Sequence, residues 1–238
     1  MAIAVNGGHV ARALDFYRTA GKYFIIGGTT PWDDDSAPDT PSVSDFRLKD
    51  VVGLKKVDNT HLVIPDPNGS IQYRSQNWKI VSESINTTVS SAGVTNNATV
   101  VPVASVAGLT VGSKIRVANI YECKITSISG LLLTVDTPAP QSIPAGSTVI
   151  GGALVEGAKY VYVDCYLNYD QFPLVTYRQI GLCTGVTPNT EDVLKSAAYS
   201  LSGTNEYTSL GNLEILDNRV PSTRDISQRE LLSLIIEF

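Results

Sequence analysis

Apolar residues recur in two rhythms along this chain. Between residues 9 and 20 they fall three and four apart, so that Val10, Ala13, Leu14 and Tyr17 share one side. That spacing predicts an amphipathic helix, with Gly21 as its left-handed stop. Elsewhere the period is two or the apolar runs are short, which predicts strands. Tyr23-Phe-Ile-Ile26 is the first, followed by a Pro- and Asp-rich loop from Gly27 to Ser42. Ser44 or Asp45 is placed to cap a short helix through Leu54. Asp66-Pro-Asn-Gly69 lies between Leu62-Val-Ile64 and Ile71-Gln-Tyr73 and reads as a hairpin turn joining them, with Trp78 to Val81 as a further strand.

The texture changes near residue 86. From Asn86 to Gly152 there is no Trp or Phe and little charge. Short Val/Ile/Leu strands at Ala98–Val103, Lys114–Ala118, Lys124–Ile128, Leu131–Val135 and Thr148–Ile150 are separated by turns at Gly108, Gly112, Gly130 and Gly146. This pattern predicts a small β-barrel or sandwich at residues 86–153, inserted into a discontinuous host domain made of residues 1–85 and 154–238.

Beyond the insert, Lys159 to Leu167 alternates cleanly. Val161, Val163, Cys165 and Leu167 form an aliphatic face, and Tyr160, Tyr162, Asp164 and Tyr166 an amphipathic one. A face of that kind is half-solvated or laid against a partner, which makes Tyr160, Tyr162 and Tyr166 the candidate interface residues. Thr187 to Ser196 predicts one or two helical turns opening at Pro188, and residues 199–211 a surface loop. At Leu231 to Phe238 the alternation returns, with Leu232, Leu234, Ile236 and Phe238 on one face. An apolar ending of this kind predicts a docked strand rather than a frayed tail.

Composition agrees with a mainly β fold carrying a few short helices. The 238 residues are 43% hydrophobic and 17% charged, with 19 Gly, 12 Pro and many Val, Ile, Thr, Ser and Tyr. A net charge of −5 without a Lys/Arg cluster argues against nucleic-acid or anionic-lipid partners. No apolar run approaches the ~20 residues of a membrane span, and the N-terminus lacks a signal-peptide pattern, so a reducing cytoplasm is the expected folding compartment. Cys123, Cys165 and Cys183 have no Cys-x-x-Cys spacing and read as small buried hydrophobes. The Asn-x-Ser/Thr sequences at Asn68, Asn86 and Asn97 carry no glycosylation meaning in that compartment.

Candidate chemistry is sparse. Asp33-Asp34-Asp35 with nearby Asp39 lacks the alternating ligands and Gly turn of a calcium loop and reads as a solvated loop. His9 and His61, the two histidines, stand outside any metal or hydrolase motif. Glu191-Asp192 are adjacent and do not converge, and the Gly7-Gly8 and Gly27-Gly28 pairs lack a phosphate-loop extension. No catalytic, metal or cofactor constellation emerges, so no cofactor or small-molecule substrate is expected. Eleven Tyr and two Trp keep a carbohydrate-binding reading open beside protein interfaces.

Five segments together resemble one family. These are Asp15-Phe-Tyr-Arg-Thr-Ala-Gly-Lys-Tyr-Phe-Ile-Ile-Gly-Gly-Thr-Thr-Pro-Trp32; Val51 to Val57 with Leu62 to Pro65; Lys159 to Leu167; Tyr177-Arg-Gln-Ile-Gly-Leu-Cys-Thr184; and Asn218-Arg-Val-Pro221 leading to the final strand. In that order they are similar to the baseplate wedge subunits of contractile-tailed, T-even-like phages. Val106-Ala-Gly-Leu-Thr-Val-Gly112 is similar to small β modules inserted in many phage structural proteins. The resemblance implies a structural virion protein that is not an enzyme, forms a homodimer, holds other baseplate wedge proteins and resides in the tail baseplate. It implies a β-sandwich-like host domain. The alternatives are a neck, collar or tail-fibre attachment protein, and a sugar-binding host-recognition module.

Overall fold

A computed structural model describes residues 5–169, 174–188, 198–200, 207–225 and 227–238. The architecture is mainly β. One sheet joins β1 (Tyr23–Gly27), β2 (Gly53–Lys56), β13 (Thr176–Thr184), β15 (Ala198–Ser200) and β17 (Asn212–Thr223) in the order β15-β2-β1-β13-β17. β1 is buried at all five positions, which is why its sequence is a continuous apolar run rather than an alternating one. Strands β14 (Thr187–Pro188) and β16 (Tyr207–Ser209) form a short separate ladder.

A second sheet contains β6 (Ile85–Thr88), β7 (Val100–Pro102), β8 (Lys114–Val117), β9 (Tyr121–Ser129), β10 (Leu132–Val135) and β11 (Thr148–Gly151), ordered β6-β11-β8-β9-β10-β7. A bridge between Val89 and Val103 links its two ends, so the sheet is nearly a barrel. Its interior is mostly aliphatic, with Val101, Ile115, Leu133 and Val149 each fully buried. The absence of Trp and Phe in this stretch, where Tyr121 packs half-buried against the core, fits a narrow barrel filled by side chains. All four glycines predicted at turns have positive φ. β6 lies just before the stretch where the sequence placed its first strand.

The third sheet is β3 (Asn59–Pro65), β4 (Ile71–Tyr73), β5 (Gln76–Val81), β12 (Tyr160–Leu167) and β18 (Glu230–Glu237), ordered β18-β12-β3-β5-β4. The Asp66–Gly69 turn forms, with Asn68 N–H donating to Asp66 Oδ1 at 2.8 Å. It does not join a β3–β4 hairpin, however. β5 lies between the two strands, pairing Leu62 with Val81 and Ile71 with Trp78. The tight hairpin is β4–β5, turned by Arg74 and Ser75, both at positive φ. Two non-glycine residues in that conformation hide the turn from sequence reading.

The chain divides into two compact units, residues 1–17, 61–161 and 235–238, and residues 18–60 and 162–234. Within the first, helix α1 (Asn6–Arg18) buries Val10, Ala13 and Phe16, and the Phe16 and Phe238 rings lie 5.1 Å apart. Phe238 N–H donates to Lys159 O at 3.1 Å. A four-residue helix, α2 (Ala153–Glu156), follows β11. The predicted helix through Leu54 does not form. Asp45 N–H instead donates to Ser42 O while Ser42 N–H donates to Asp45 Oδ2, so the capping residues close a turn on themselves. The predicted loop at 199–211 is strand at β15 and β16, with residues 201–206 outside the described residues. Of the predicted helical turns at 187–196, Thr187 and Pro188 are strand and the rest lies outside the described residues.

Candidate protein–protein interface

In the second unit, the long loop between β1 and β2 is fastened to β13 and β17 by a set of directed polar contacts. Arg178, on β13, forks onto Asp35 with Nε to Oδ1 at 2.7 Å and Nη2 to Oδ2 at 2.8 Å, and its third nitrogen donates to Thr29 O. Such bidentate geometry fixes direction as well as distance. The hydrogen bond from Arg178 holds the Asp35 carboxyl below its ordinary range and raises the guanidinium. Asp35 also accepts from Trp32 N–H, and the Trp32 indole N–H donates to Arg219 O at 3.1 Å. A second relay runs beside it. Lys49 N–H donates to Gln179 Oε1, Gln179 Nε2 to Asn218 Oδ1, and Asn218 Nδ2 to Asp39 O, at 2.7 to 2.8 Å.

An apolar peg completes the fastening. Leu48 is 4% exposed and packs with Tyr23, Ile25, Leu54 and Cys183. A Cβ on Gly181 would lie 2.5 Å from Leu48 Cδ1 and 2.8 Å from Leu213 Cδ1, so the bare backbone of Gly181 is the seat for both side chains. Three segments that looked separate in sequence, Pro31-Trp32, Tyr177-Arg-Gln179 and Asn218-Arg219, therefore meet at one structure. The acidic run is not merely solvated, because Asp35 is the counter-ion of a buried arginine. Neither that pair nor the Gln179–Asn218 relay has a local sequence signal, since the partners are far apart in the chain.

Between these fastenings the loop turns outward. Residues 41–47 are all exposed, and Val43 and Phe46 retain 108% and 71% of their accessible surface. The Arg47 guanidinium covers the Phe46 ring at 4.6 Å. Two clefts open here. One of about 390 Å³ is polar and lined by Trp32, Asp39, Arg47, Lys49 and Asn218. The other, of about 410 Å³, separates the loop from β17. Aromatic and arginine side chains exposed together are typical anchors of protein interfaces.

The tyrosines of β12 take three different situations. Tyr160 is half-buried, its ring 5.0 Å from Trp78 in an edge arrangement and its hydroxyl donating to Glu237. Tyr162 is 7% exposed, and burial raises its phenol pKa. Tyr166 is 36% exposed, with the Arg229 guanidinium 3.8 Å from its ring centre. Val161, Val163, Cys165 and Leu167 on the other face are fully buried. Trp78 is 7% exposed and offers no open ring face for a sugar.

Cys123, Cys165 and Cys183 are free and buried, and burial pushes the thiols of Cys123 and Cys183 up to about 12. His9 lies on α1 and His61 on β3. Among the described residues, no three His, Cys, Asp or Glu side chains gather as a metal site requires, and no helix is long and apolar enough to cross a membrane.

The family described as "Baseplate wedge 3 tail fiber network component" matches residues 1–104 and 138–238. "Virion protein 3" of Enterococcus phage phiEF24C is 30% identical over 107 residues, covering 35% of this chain and 58% of the relative. The chain thus spans less than two thirds of that relative's length.

Proposed function

The chain belongs to the baseplate wedge 3 tail fiber network component family, and on that premise we propose that it is a structural subunit of the baseplate wedge of a contractile phage tail. It works through protein–protein surfaces rather than catalysis, as a homodimer that holds other wedge proteins. It assembles in the bacterial cytoplasm and remains in the virion. The observation that carries this reading is the fastened loop. A protein that spends a buried Arg–carboxylate fork, a four-residue amide relay and a glycine-seated leucine to hold exposed Val43 and Phe46 in place is presenting a rigid surface. The half-buried Tyr160 and the exposed Tyr166 of β12, around the packed Tyr162, are assigned to the dimer contact.

Localisation in intact particles by electron microscopy with a tagged chain tests the placement. Density in the baseplate wedge is expected, and density at the neck or its absence from particles overturns the reading. Light scattering at micromolar concentration tests the dimer, since obligate dimers bury roughly 2,000 Å² or more. A clean monomer overturns that part. The family's description favours a second reading, attachment of tail fibres, for which density at the fibre root is the distinguishing result.

A further inference from the structure

Within the first compact unit, a groove of about 220 Å³ crosses the third sheet. β4 and β18, the two edge strands of that sheet, contribute Tyr73 and Glu237; the hairpin turn adds Arg74, β5 adds Gln76 and Trp78, and β12 adds Tyr160. These side chains share one face. Tyr73 stands opposite Gln76, Gln76 and Trp78 are two apart on β5, and the Trp78 and Tyr160 rings lie 5.0 Å apart. Glu237 follows buried Ile236 on β18, so it too points away from the core.

Three groups in this groove are left incomplete by the chain itself. Trp78 is 7% exposed, yet its indole N–H has no acceptor among the described residues. A buried donor without an acceptor is rare in a finished fold. Arg74 is exposed and forms no ion pair among the described residues, and its guanidinium lies 5.4 Å from the Tyr73 ring centre. It is held at φ 46°, with Ser75 at 66°, in a tight turn where Asn-Gly is the usual choice. A long cation is thus placed at this tip against backbone preference, as side chains with a task often are. Glu237 receives both the Lys159 ammonium and the Tyr160 hydroxyl on Oε1, which leaves Oε2 without a partner among the described residues.

Charge selects the occupant. Arg74 and Glu237 are the charged residues that line the groove, one beside each edge of the sheet. A wholly acidic or wholly basic segment laid across it meets a like charge at one end. A surface with opposite charges at its two ends is complementary to itself after a half-turn, which is the relation a two-fold dimer imposes. We propose that this groove is the centre of a two-fold contact between two copies of the chain, with Arg74 of each copy paired to Glu237 of the other. The same half-turn sets the second copy's Tyr160, whose hydroxyl oxygen can still accept, against Trp78. Stable dimers bury ~800 Å² per partner, so the groove is the middle of the contact and not its whole extent. The proposal rests on the reading of the chain as a homodimer with Tyr160 in its contact, and it adds the axis and the ion pairs.

The test uses the full chain in two charge-reversed forms, Arg74→Glu and Glu237→Arg, with light scattering at micromolar concentration as the readout. Each form alone sets like charges together at two symmetry-related places and should weaken self-association at least about tenfold. Mixed in equal amounts, the two forms recreate both opposite-charge pairs, so the mixture should return to twice the chain mass. A variant that has simply misfolded gives no such rescue. A wild-type dimer that Arg74→Glu leaves unchanged overturns the pairing and leaves the homodimer reading standing. Because Arg74 lies at an exposed turn, that arm decides the matter even where Glu237→Arg fails to fold. A mixture that stays monomeric while both variants melt as the wild type does also overturns the pairing. A wild-type monomer overturns the homodimer reading itself, and this contact with it.

Discussion

Seating Leu48 on Gly181 makes a quantitative demand on both residues. In Gly181→Ala, the added Cβ would stand 2.5 Å from Leu48 Cδ1 and 2.8 Å from Leu213 Cδ1, closer than carbon atoms pack. Both neighbours are side-chain tips, so they shift rather than break the sheet. Overpacking of this kind costs about 1–3 kcal/mol, reduced by the ~0.5–1 kcal/mol that Ala gains over Gly in a strand. Leu48→Ala empties a fully enclosed site and costs about 2–5 kcal/mol. In the double variant the new methyl enters the space that Leu48 vacated. The two penalties then fall short of their sum by about 1–2 kcal/mol, as neighbours that share one volume do. Only Trp32 and Trp78 are present, so a Trp78→Phe background leaves Trp32 as the reporter of the loop. Urea unfolding followed by Trp32 emission in the four proteins gives the cycle for the unit that contains it. Additivity of the two changes within about 0.5 kcal/mol refutes the seating of Leu48 on Gly181.

Three further outcomes are expected. Asp35 has a depressed folded pKa, so its tether is present above the ordinary carboxylate value of about 4 and is lost as pH falls through the lower folded value; Trp32 emission should shift only below about pH 4, and Asp35→Asn should show the shifted emission already at neutral pH. Truncation after Gln228 removes Leu232, Leu234 and Ile236, each at most 7% exposed, worth about 4–9 kcal/mol together against a typical net stability of ~5–15 kcal/mol; the product should be insoluble or melt without cooperativity, and melting within a few degrees of the full chain argues against that role. We also propose that residues 86–153 are an insertion: Ile85 pairs with Gly151, so its ends are neighbours, and residues 105–137 lie outside the family match. A short Gly/Ser linker in its place should leave Trp32 emission native-like and unfolding cooperative, and aggregation of that protein would count against an insertion.

Much of the fold was legible because period-two and period-3.6 patterns are local. α1, β1 and the strands of residues 98–150 announce themselves within a dozen residues, and β18 by strict alternation. The misreadings share one cause. Ser42, Ser44 and Asp45 satisfy their hydrogen bonds within a turn, and a capping motif looks the same in sequence whether a helix follows it or not. The Asp66–Gly69 turn was recognised as a turn, but nothing local says that β5 will lie between the strands it separates. The interface was the least legible part. Asp35 and Arg178 are 143 residues apart and Lys49 and Gln179 are 130 apart, so neither pairing leaves a spacing to detect. What sequence supplied was the resemblance, and three of the five segments that carry it turn out to interlock.

The contact between Phe16 and Phe238 bears on how the protein is made. The two rings belong to the same compact unit, yet about 220 residues of chain separate them. At ~5–20 residues per second, the ribosome delivers Phe238 roughly 10–40 s after Phe16. During that interval the helix has its apolar side ready and no final partner, and the near-barrel of residues 85–151, whose six strands pair with one another, can close first. Docking of the terminal strand then fixes the helix in one late, long-range step whose loop-closure cost falls due all at once. A ribosome-stalled or truncated product would keep Phe16 uncovered, so unfinished chains are marked by exposed apolar surface before any assembly step can use them.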